Sequence, residues 1–403
     1  MMLDGPLFHG AIGRLEESTR NLRAWGLVMQ LSLLIESPVI MLLATSIAWN
    51  RDRQAYRVLR AFTVALCVAC TVVAAGIAFT RIFDTIGVGW LGYPAESVDA
   101  ARLPMQVMVA WSAAIGWRRF QQGLLVRRGS AQLVTLGTVA RLGSMALACC
   151  LLVPAGRLPG ALVAAIAMMI GVVVEAIAST TFARRCVREL PSDANVDPIT
   201  LRTLLEFHAP LAATALLGLA AQPIVAAALS TLPDKERTLA AWPVVFSLLL
   251  VIRGWGLALQ ETTVGQLRTH QSDRRTVLHF AWRVAALSSL ATLMLSLPMV
   301  LGPIAAVLSL PRELTELVRS GLLWGALLPF ATAMASWTRG VLTAEGDTRA
   351  VYRATICALA AQSIWLFAAV RWHWNPIPSA ALSLLAADAT VLGITLLALR
   401  RRI

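Results

Sequence analysis

A small set of charged side chains lies inside long apolar stretches of the sequence. The clearest cases are Glu36 in LLIESPVIM, Arg253 in LLVIRGWGL and Asp388 in LLAADATVL. An ionisable group at the centre of a membrane helix costs roughly 2.5–3.5 kcal/mol, so it usually faces a cavity or a partner. Carboxylates there can carry protons, and guanidinium groups can bind anions. We predict a substrate and ion pathway formed by Glu36, Arg253, Arg141, Glu175, Asp388, Asp4 and Arg339.

Two of these residues are related by an internal repeat. Glu36 and Arg253 stand 217 positions apart, the offset at which the two halves of the sequence match. A pseudo-two-fold axis would bring them face to face, with Glu36 as a protonatable site and Arg253 as its counter-charge or as an anion ligand. The alternative is a structural ion pair without a role in transport. Glu175 maps onto Leu392, one helical turn from Asp388, so these two carboxylates are nearly equivalent.

The repeat also predicts the architecture. RNLRAW, from residue 20, aligns with RTLAAW, from residue 237, and four of the six residues are identical. Both copies start on the same side of the membrane, as in transporters built from parallel repeats. We therefore expect an all-α polytopic membrane protein with two pseudo-symmetric six-helix lobes. The predicted lobes are 1–190 and 199–403, and the polar residues 191–198 form a cytoplasmic linker.

The first helix of the first copy is incomplete in this alignment. Pro6 aligns with Pro223, but only five residues precede Pro6, whereas an apolar stretch beginning at Leu201 precedes Pro223. Either the coding sequence starts further upstream, which we expect, or the protein has lost half of this helix. Asp4 is the candidate ion-site residue that this shortened helix retains.

The composition excludes most other classes of protein. Of 403 residues, 58% are hydrophobic and 14% are charged, and the mean hydropathy is +0.70. Soluble domains carry about 25% charged residues. The net charge of +13 comes almost entirely from arginine, which anchors and orients membrane helices, so we expect a lipid bilayer and no nucleic acid as partner. No Walker A motif or metal-ligand cluster occurs in the sequence. We therefore predict no cofactor beyond a coupling ion, H⁺ or Na⁺.

Eleven apolar runs are long enough to cross a bilayer, which takes about 20 residues. They lie near 22–49, 60–82, 103–125, 131–153, 158–182, 200–229, 238–264, 277–309, 316–343, 350–371 and 377–399. Arginines gather in every second connection, and the positive-inside rule places those connections in the cytoplasm. We predict a multi-pass inner-membrane protein with a cytoplasmic C-terminus. Arg118 and Arg119 are interpreted as a solvated, interface-anchoring end of the fourth span, with a gate as the alternative.

Several short motifs resemble a known transporter superfamily. They are Gly26-Leu27 followed by Pro38, Arg51-Asp52-Arg53, Pro210-Leu211-Ala212 with Pro223-Ile224-Val225, Ala241-Trp242-Pro243-Val244, and Thr338-Arg339 with Leu342-Thr343. Together with the two-lobe pattern, they resemble the multidrug/oligosaccharidyl-lipid/polysaccharide exporters, which include the multidrug and toxin extrusion (MATE) proteins. Within that superfamily the sequence is most similar to bacterial relatives of the progressive ankylosis family.

The resemblance implies secondary active transport by alternating access. It implies export either of a drug-like compound or of a small polyanion such as pyrophosphate or citrate, and we expect a monomer that takes a small-molecule substrate. A lipid-linked saccharide flippase of the same superfamily is the main alternative. A membrane-embedded enzyme or scaffold is a further alternative, but no loop pairs carboxylates with His or Cys. We therefore do not expect an enzyme. The polar residues after Pro243 do not align with the animal members without a gap, so their substrate is not carried over.

Overall fold

The computed structural model describes residues 4–192, 199–268, 273–345 and 347–400, and within these ranges the chain is helical without a strand. The chain divides into two compact units, one formed by Leu15–Ala220 and the other by Met1–Arg14 with Ala221–Ile403. Most of the predicted linker, residues 193–198, lies outside the described residues.

The helices of the Leu15–Ala220 unit follow the apolar runs of the sequence. They are α2 (Ser18–Ile40), α3 (Leu42–Trp49), α4 (Arg53–Ala78), α5 (Ile82–Asp84), α6 (Ala95–Val107), α7 (Trp111–Arg127), α8 (Ala131–Ala155), α9 (Gly160–Arg188) and the first part of α10 (Leu201–Thr231). A π-helical turn follows α5, and a 3₁₀ turn joins α6 to α7.

The second unit contains α1 and the helices that follow residue 220. They are α1 (Asp4–Gly13), the end of α10, α11 (Lys235–Leu257), α12 (Leu259–Arg268), α13 (Arg274–Leu295), α14 (Pro298–Val307), α15 (Arg312–Trp324), α16 (Leu328–Ala344), α17 (Thr348–Arg371) and α18 (Pro376–Arg400).

The bounds of the two units differ from the predicted lobes at residues 1–14 and 199–220. In α1, Nδ1 of His9 lies 3.1 Å from Oγ of Ser247 in α11. In the first half of α10, Nδ1 of His208 lies 2.9 Å from Oγ1 of Thr45, and its Nε2 donates to the carbonyl oxygen of Pro38 at 3.0 Å. Each of these segments thus has a polar contact within the unit that contains it.

The helices repeat at the offset found in the sequence. The pairs α2 and α11, α3 and α12, α6 and α15, and α7 and α16 each begin 217 residues apart. The residues that precede α2 and α11, Glu17 and Asp234, share a left-handed backbone with φ of 50° and 53°. Left-handed non-glycine residues are uncommon, so this agreement marks two copies of one backbone.

Five predicted spans are interrupted, and two of them, 22–49 and 238–264, are each formed by two consecutive helices. Nine helices in the described ranges are long and apolar enough to cross a membrane, and a tenth span results if α15 and α16, bent by 43°, are counted together. The run 103–125 is broken by the 3₁₀ turn at Met108–Ala110. The run 277–309 is one span followed by the short helix α14, because Pro298 cannot donate a backbone hydrogen bond and begins a new helix there.

Equivalent glycines set the approach of equivalent helices. A Cβ on Gly123 of α7 would lie 2.4 Å from Cβ of Ser46 in α3. A Cβ on Gly340 of α16 would lie 2.6 Å from Cβ of Thr263 in α12. Both glycines and both partners are 217 residues apart. Each copy therefore packs two helices at a distance that only glycine permits.

We expect Gly123→Ala and Gly340→Ala each to destabilise the protein by roughly 1–3 kcal/mol, because overpacking forces neighbouring atoms apart. The measurement is the midpoint of thermal unfolding in detergent. Gly143→Ala in α8 is the matched control, since a Cβ there meets nothing within 4 Å and alanine favours a helix. Equal midpoints for all three variants would contradict the close-packing interpretation.

Candidate functional site

The carboxylate of Glu175, in α9, is the centre of a buried polar cluster in the Leu15–Ala220 unit. It forms an ion pair with Nη1 of Arg118, and Nε of Arg141 lies 2.9 Å from the same oxygen. The other oxygen accepts from Nε2 of Gln122 at 3.0 Å and from Oγ1 of Thr138 at 3.1 Å. The side chains of Arg118, Arg141 and Glu175 are each 2% exposed. Helices α7, α8 and α9 thus converge on one carboxylate.

Small residues make room for this cluster. A Cβ on Gly171, one helical turn before Glu175, would lie 2.3 Å from Cγ of Met145 and 3.2 Å from Cγ of Arg141. Without a side chain at Gly171, the stem of Arg141 can lie against α9 and bring its guanidinium to Glu175. The sequence predicted Arg141 and Glu175 as separate candidates, and the structure brings them together.

Glu36 lies in α2 beside this cluster. Its side chain is fully buried, and neither carboxylate oxygen has a hydrogen-bond partner within the described part of the chain. Arg118 and Arg119 of α7 and Cys70 of α4 are within electrostatic range. A buried carboxylate without a donor is unfavourable when ionised, which distinguishes Glu36 from Glu175.

A local weakness in α2 follows Glu36. Pro38 has no backbone N–H, so the carbonyl of Leu34 loses its helical donor, and Oγ of Ser37 donates to it instead at 2.7 Å. The helix ends two residues later, at Ile40, and α3 begins at Leu42. The predicted weak point after Glu36 therefore coincides with a break between two helices.

The interpretation of Arg118 and Arg119 as a solvated helix end was wrong. Arg118 is 2% exposed and paired with Glu175. Arg119 interacts electrostatically with Arg118, Glu36, Glu175 and Arg141. Both guanidinium groups point inward because they lie beside the carboxylates of α2 and α9. Those two helices are distant from α7 in the sequence, so the local sequence does not reveal the pairing.

Arg253, in α11, organises a smaller cluster in the other unit. Its Nη2 lies 2.9 Å from Oδ2 of Asp388 in α18, and its Nε donates to Oγ1 of Thr332 in α16 at 2.9 Å. Thr332 also donates to the Asp388 carboxylate. Arg339 lies two turns further along α16 than Thr332 and interacts electrostatically with Asp388 and Arg253. The side chains of Arg253 and Asp388 are 12% and 16% exposed, so this cluster is more open than the one around Glu175.

Thr332 was missed by the sequence analysis because it carries no charge. It lies on the same helix as Arg339 and seven residues before it, which is two turns along one face. Among the predicted site residues, Asp4 is buried in α1, 5% exposed. The pairing of Glu36 with Arg253 stays a prediction, and within its own unit Arg253 pairs with Asp388.

The two clusters use equivalent helices, and the sign of the charge is inverted at one equivalent pair of positions. At the shared offset, Glu36 corresponds to Arg253, and Asp388 corresponds to Gly171. The first cluster places its acids on α2 and α9 and its bases on α7 and α8, whereas the second places its bases on α11 and α16 and its acid on α18. Within the described residues, no three His, Cys, Asp or Glu side chains are grouped to hold a metal ion.

The fold was compared with solved structures. An inward-facing multidrug resistance MATE family transporter of the MOP superfamily superposes with a TM-score of 0.78 at 15% identity, covering 100% of this chain and 94% of that one. The fold is that of the MATE transporters. The inward closed conformation of the lipid II flippase MurJ matches with a TM-score of 0.74 at 11% identity, over 99% of this chain and 85% of that one.

A third solved structure with the MATE fold is a MOP superfamily transporter from Pyrococcus furiosus, described by a reverse polarity of its binding pocket. It matches with a TM-score of 0.66 at 15% identity, over 100% of this chain and 94% of that one. No family model and no curated protein sequence matches this chain. The MATE-like fold expected from the sequence motifs and the two-lobe pattern is confirmed, although sequence identity to these neighbours is low.

We expect Glu175→Gln to destabilise the protein by about 3–5 kcal/mol, because it leaves buried guanidinium groups without their counter-charge. Thermal unfolding in detergent measures the change. The double variant Glu175→Gln with Arg141→Gln should recover part of the loss, since it removes one of the uncompensated charges. Glu189→Gln is the control, because Glu189 pairs with Arg185 at the surface, where both side chains are largely exposed. A double variant less stable than the single one would contradict this account.

Proposed function

We propose that this protein is a secondary active transporter that exports a small organic anion by alternating access. The observation that carries the proposal is the excess of arginine in both buried clusters. Three arginines (Arg118, Arg119 and Arg141) accompany the carboxylates of Glu36 and Glu175, and two arginines (Arg253 and Arg339) accompany Asp388. Among the described residues of each cluster the arginines outnumber the carboxylates by one, which favours an anion over a cation.

Arg253 is proposed as the substrate ligand. Its guanidinium is partly exposed and is held by Asp388 and Thr332. An incoming carboxylate or phosphate can replace Asp388 in a bidentate interaction, because guanidinium geometry matches both groups. Arg339 lies close enough to the pair to share the charge of a polyanion. Asp388 would then hold the arginine in place between transport cycles.

Glu36 is proposed as the proton-coupling residue. The groups that face it are Arg118 and Arg119 of α7 and Cys70 of α4. Proton uptake by Glu36 removes a buried negative charge that has no hydrogen-bond donor, and raises the excess positive charge of the cluster from one to two. A change of that size can shift the equilibrium between two conformations of the α2–α3 region.

Sodium is the alternative coupling ion. A sodium gradient imposed without a pH gradient tests whether Na⁺ drives transport instead of H⁺.

The resemblance to progressive ankylosis relatives supports pyrophosphate or citrate as the substrate class. It agrees with the charge of the two clusters, whereas a cationic drug does not. The Pyrococcus furiosus neighbour is described by a binding pocket of reverse polarity. It supports the idea that proteins of this fold with different functions differ in the charge of their binding pockets. We further propose that the protein acts as a monomer in the inner membrane with its C-terminus in the cytoplasm.

The second candidate function is translocation of a lipid-linked saccharide. The match with the lipid II flippase MurJ, with a TM-score of 0.74, favours it, and arginines suit a pyrophosphate headgroup equally well. A flippase must move a substrate with a long lipid chain, while an exporter must move a soluble anion. Transport of a soluble polyanion in a reconstituted system therefore separates the two functions.

We expect Arg253→Gln to reduce counterflow of labelled pyrophosphate or citrate in proteoliposomes by about 10-fold or more, the loss expected when a buried charge-assisted contact worth roughly 1.5–3 kcal/mol is removed. Arg319→Gln is the matched control, because Arg319 pairs with Glu316 at the exposed surface of α15. The anion proposal would be overturned if the wild-type protein transports a cationic dye but no polyanion. Translocation of a labelled lipid-linked saccharide without polyanion counterflow would establish the flippase.

We expect Glu36→Gln to abolish the stimulation of transport by an imposed pH gradient while substrate exchange without a gradient continues. The amide keeps the shape of the side chain but cannot take up a proton. The control is Glu316→Gln, since Glu316 is exposed and should leave the pH response intact. An unchanged pH response in Glu36→Gln would remove Glu36 from the coupling mechanism.

A further inference from the structure

A groove with only basic and neutral side chains lies at one end of α4, α7 and α9. It has a volume of about 370 Å³ and is lined by Tyr56, Arg60, Trp117, Gln121, Thr180, Arg184, Val187 and Arg188. Helix α4 begins at this end and α9 ends there, and both pack on α7. The groove is distinct from the Glu175 cluster, and none of the residues that form that cluster lines it.

The three arginines of the groove are available for a ligand. Arg60, Arg184 and Arg188 are exposed, and none of their guanidinium groups has a carboxylate partner in the described chain. By contrast Arg185, one position from Arg184, pairs with Glu189 at 2.8 Å. Three unpaired cations around one concave surface favour a phosphate group.

The floor of the groove contains an unsatisfied acceptor. Gln121 is 2% exposed, and its Oε1 has no hydrogen-bond partner in the part of the chain that the structure describes. A buried amide oxygen without a donor is costly. Beside it, Nε1 of Trp117 donates to Oγ1 of Thr180 at 2.9 Å, which fixes the indole between α7 and α9. One residue that lines the groove therefore has a buried oxygen without a hydrogen-bond donor, beside an indole that is held by a hydrogen bond.

Apolar ridges extend from the groove along both of its walls. Exposed valines follow Arg60 on α4, and exposed apolar residues precede Arg184 on α9, at spacings that keep them on the same helix faces. They are Val64, Val68 and Val72 on α4, and Ile170, Val173 and Ile177 on α9. Tyr56 and Trp117 stand at the polar end, as aromatic residues do at a membrane interface. A ligand that fills the groove would thus place its polar part on the arginines and its apolar part on the two ridges.

We propose that this groove binds an anionic phospholipid with a glycerol headgroup, such as phosphatidylglycerol. The phosphate contacts Arg60, Arg184 and Arg188, a headgroup hydroxyl donates to Oε1 of Gln121, and the acyl chains lie on the ridges of α4 and α9. The groove belongs to the arginine-rich side of the sequence, which is predicted to face the cytoplasm, so the lipid belongs to the cytoplasmic leaflet. This site is independent of the proposed transport function.

Native mass spectrometry of the full chain in detergent tests the proposal with phosphatidylglycerol and with phosphatidylcholine of the same acyl chains. We expect Arg60→Gln/Arg184→Gln/Arg188→Gln to weaken phosphatidylglycerol binding by about 10-fold or more, because each arginine near an anionic headgroup contributes to the attraction. The matched control is Arg57→Gln/Arg128→Gln/Arg185→Gln, which removes the same charge from residues outside the groove and should change binding by less than about 3-fold. Unfolding midpoints close to wild type for both triple variants show that the fold is retained.

A second variant tests the headgroup. Gln121→Leu should lower the affinity for phosphatidylglycerol, and should leave unchanged the affinity for phosphatidic acid, which lacks a headgroup glycerol. Equal phosphatidylglycerol binding by the groove and control triples would overturn the proposal, as would equal wild-type binding of phosphatidylcholine. Displacement of the lipid by glycerol phosphate at equal concentration would show a site for free anions instead.

Discussion

A carboxylate that water cannot reach must receive its hydrogen bonds from the protein, and this requirement acts most strongly on Glu175. Arginine, glutamine and threonine side chains from α7 and α8 meet it at one point of α9. A shift of any of these helices by one residue would separate a buried charge from its partner, at a cost of several kcal/mol. The mutual positions of α7, α8 and α9, and the bare backbone at Gly171, therefore follow from one ion-pair network.

Hydropathy and the repeat predicted the helices well because both depend on local sequence. The offset of 217 residues between α2 and α11 is recoverable from RNLRAW and RTLAAW alone. The partners of each charge were not recoverable, since they come from helices distant in the chain. In the structure Arg118 lies three residues after buried Ile115 and four before buried Gln122. That spacing puts all three on one helix face, where hydropathy alone suggested a helix end.

The two copies show that a shared backbone does not require a shared polar interior. The glycine contacts at Gly123 and Gly340 are the same in both copies, because they set the distance between helices. The charged positions are free to change provided that each buried charge keeps a partner, and Glu36 and Arg253 have opposite signs at equivalent places. One cluster is closed to solvent and the other is partly open. This asymmetry agrees with the proposal that the closed cluster couples to the ion and the partly open cluster binds the substrate.

Because the basic residues are almost all arginines, few side chains in the two clusters can exchange a proton. The sequence contains one lysine, and no histidine of the described residues belongs to either cluster. Guanidinium groups stay charged across the physiological range, so proton exchange in the clusters must occur on Glu36, Glu175 or Asp388. Glu175 and Asp388 are held by ion pairs and hydrogen bonds, and proton uptake by either would leave a guanidinium without its partner. Proton uptake by Glu36 breaks no hydrogen bond within the described chain, which makes it the carboxylate whose charge can change with the least disruption of the fold.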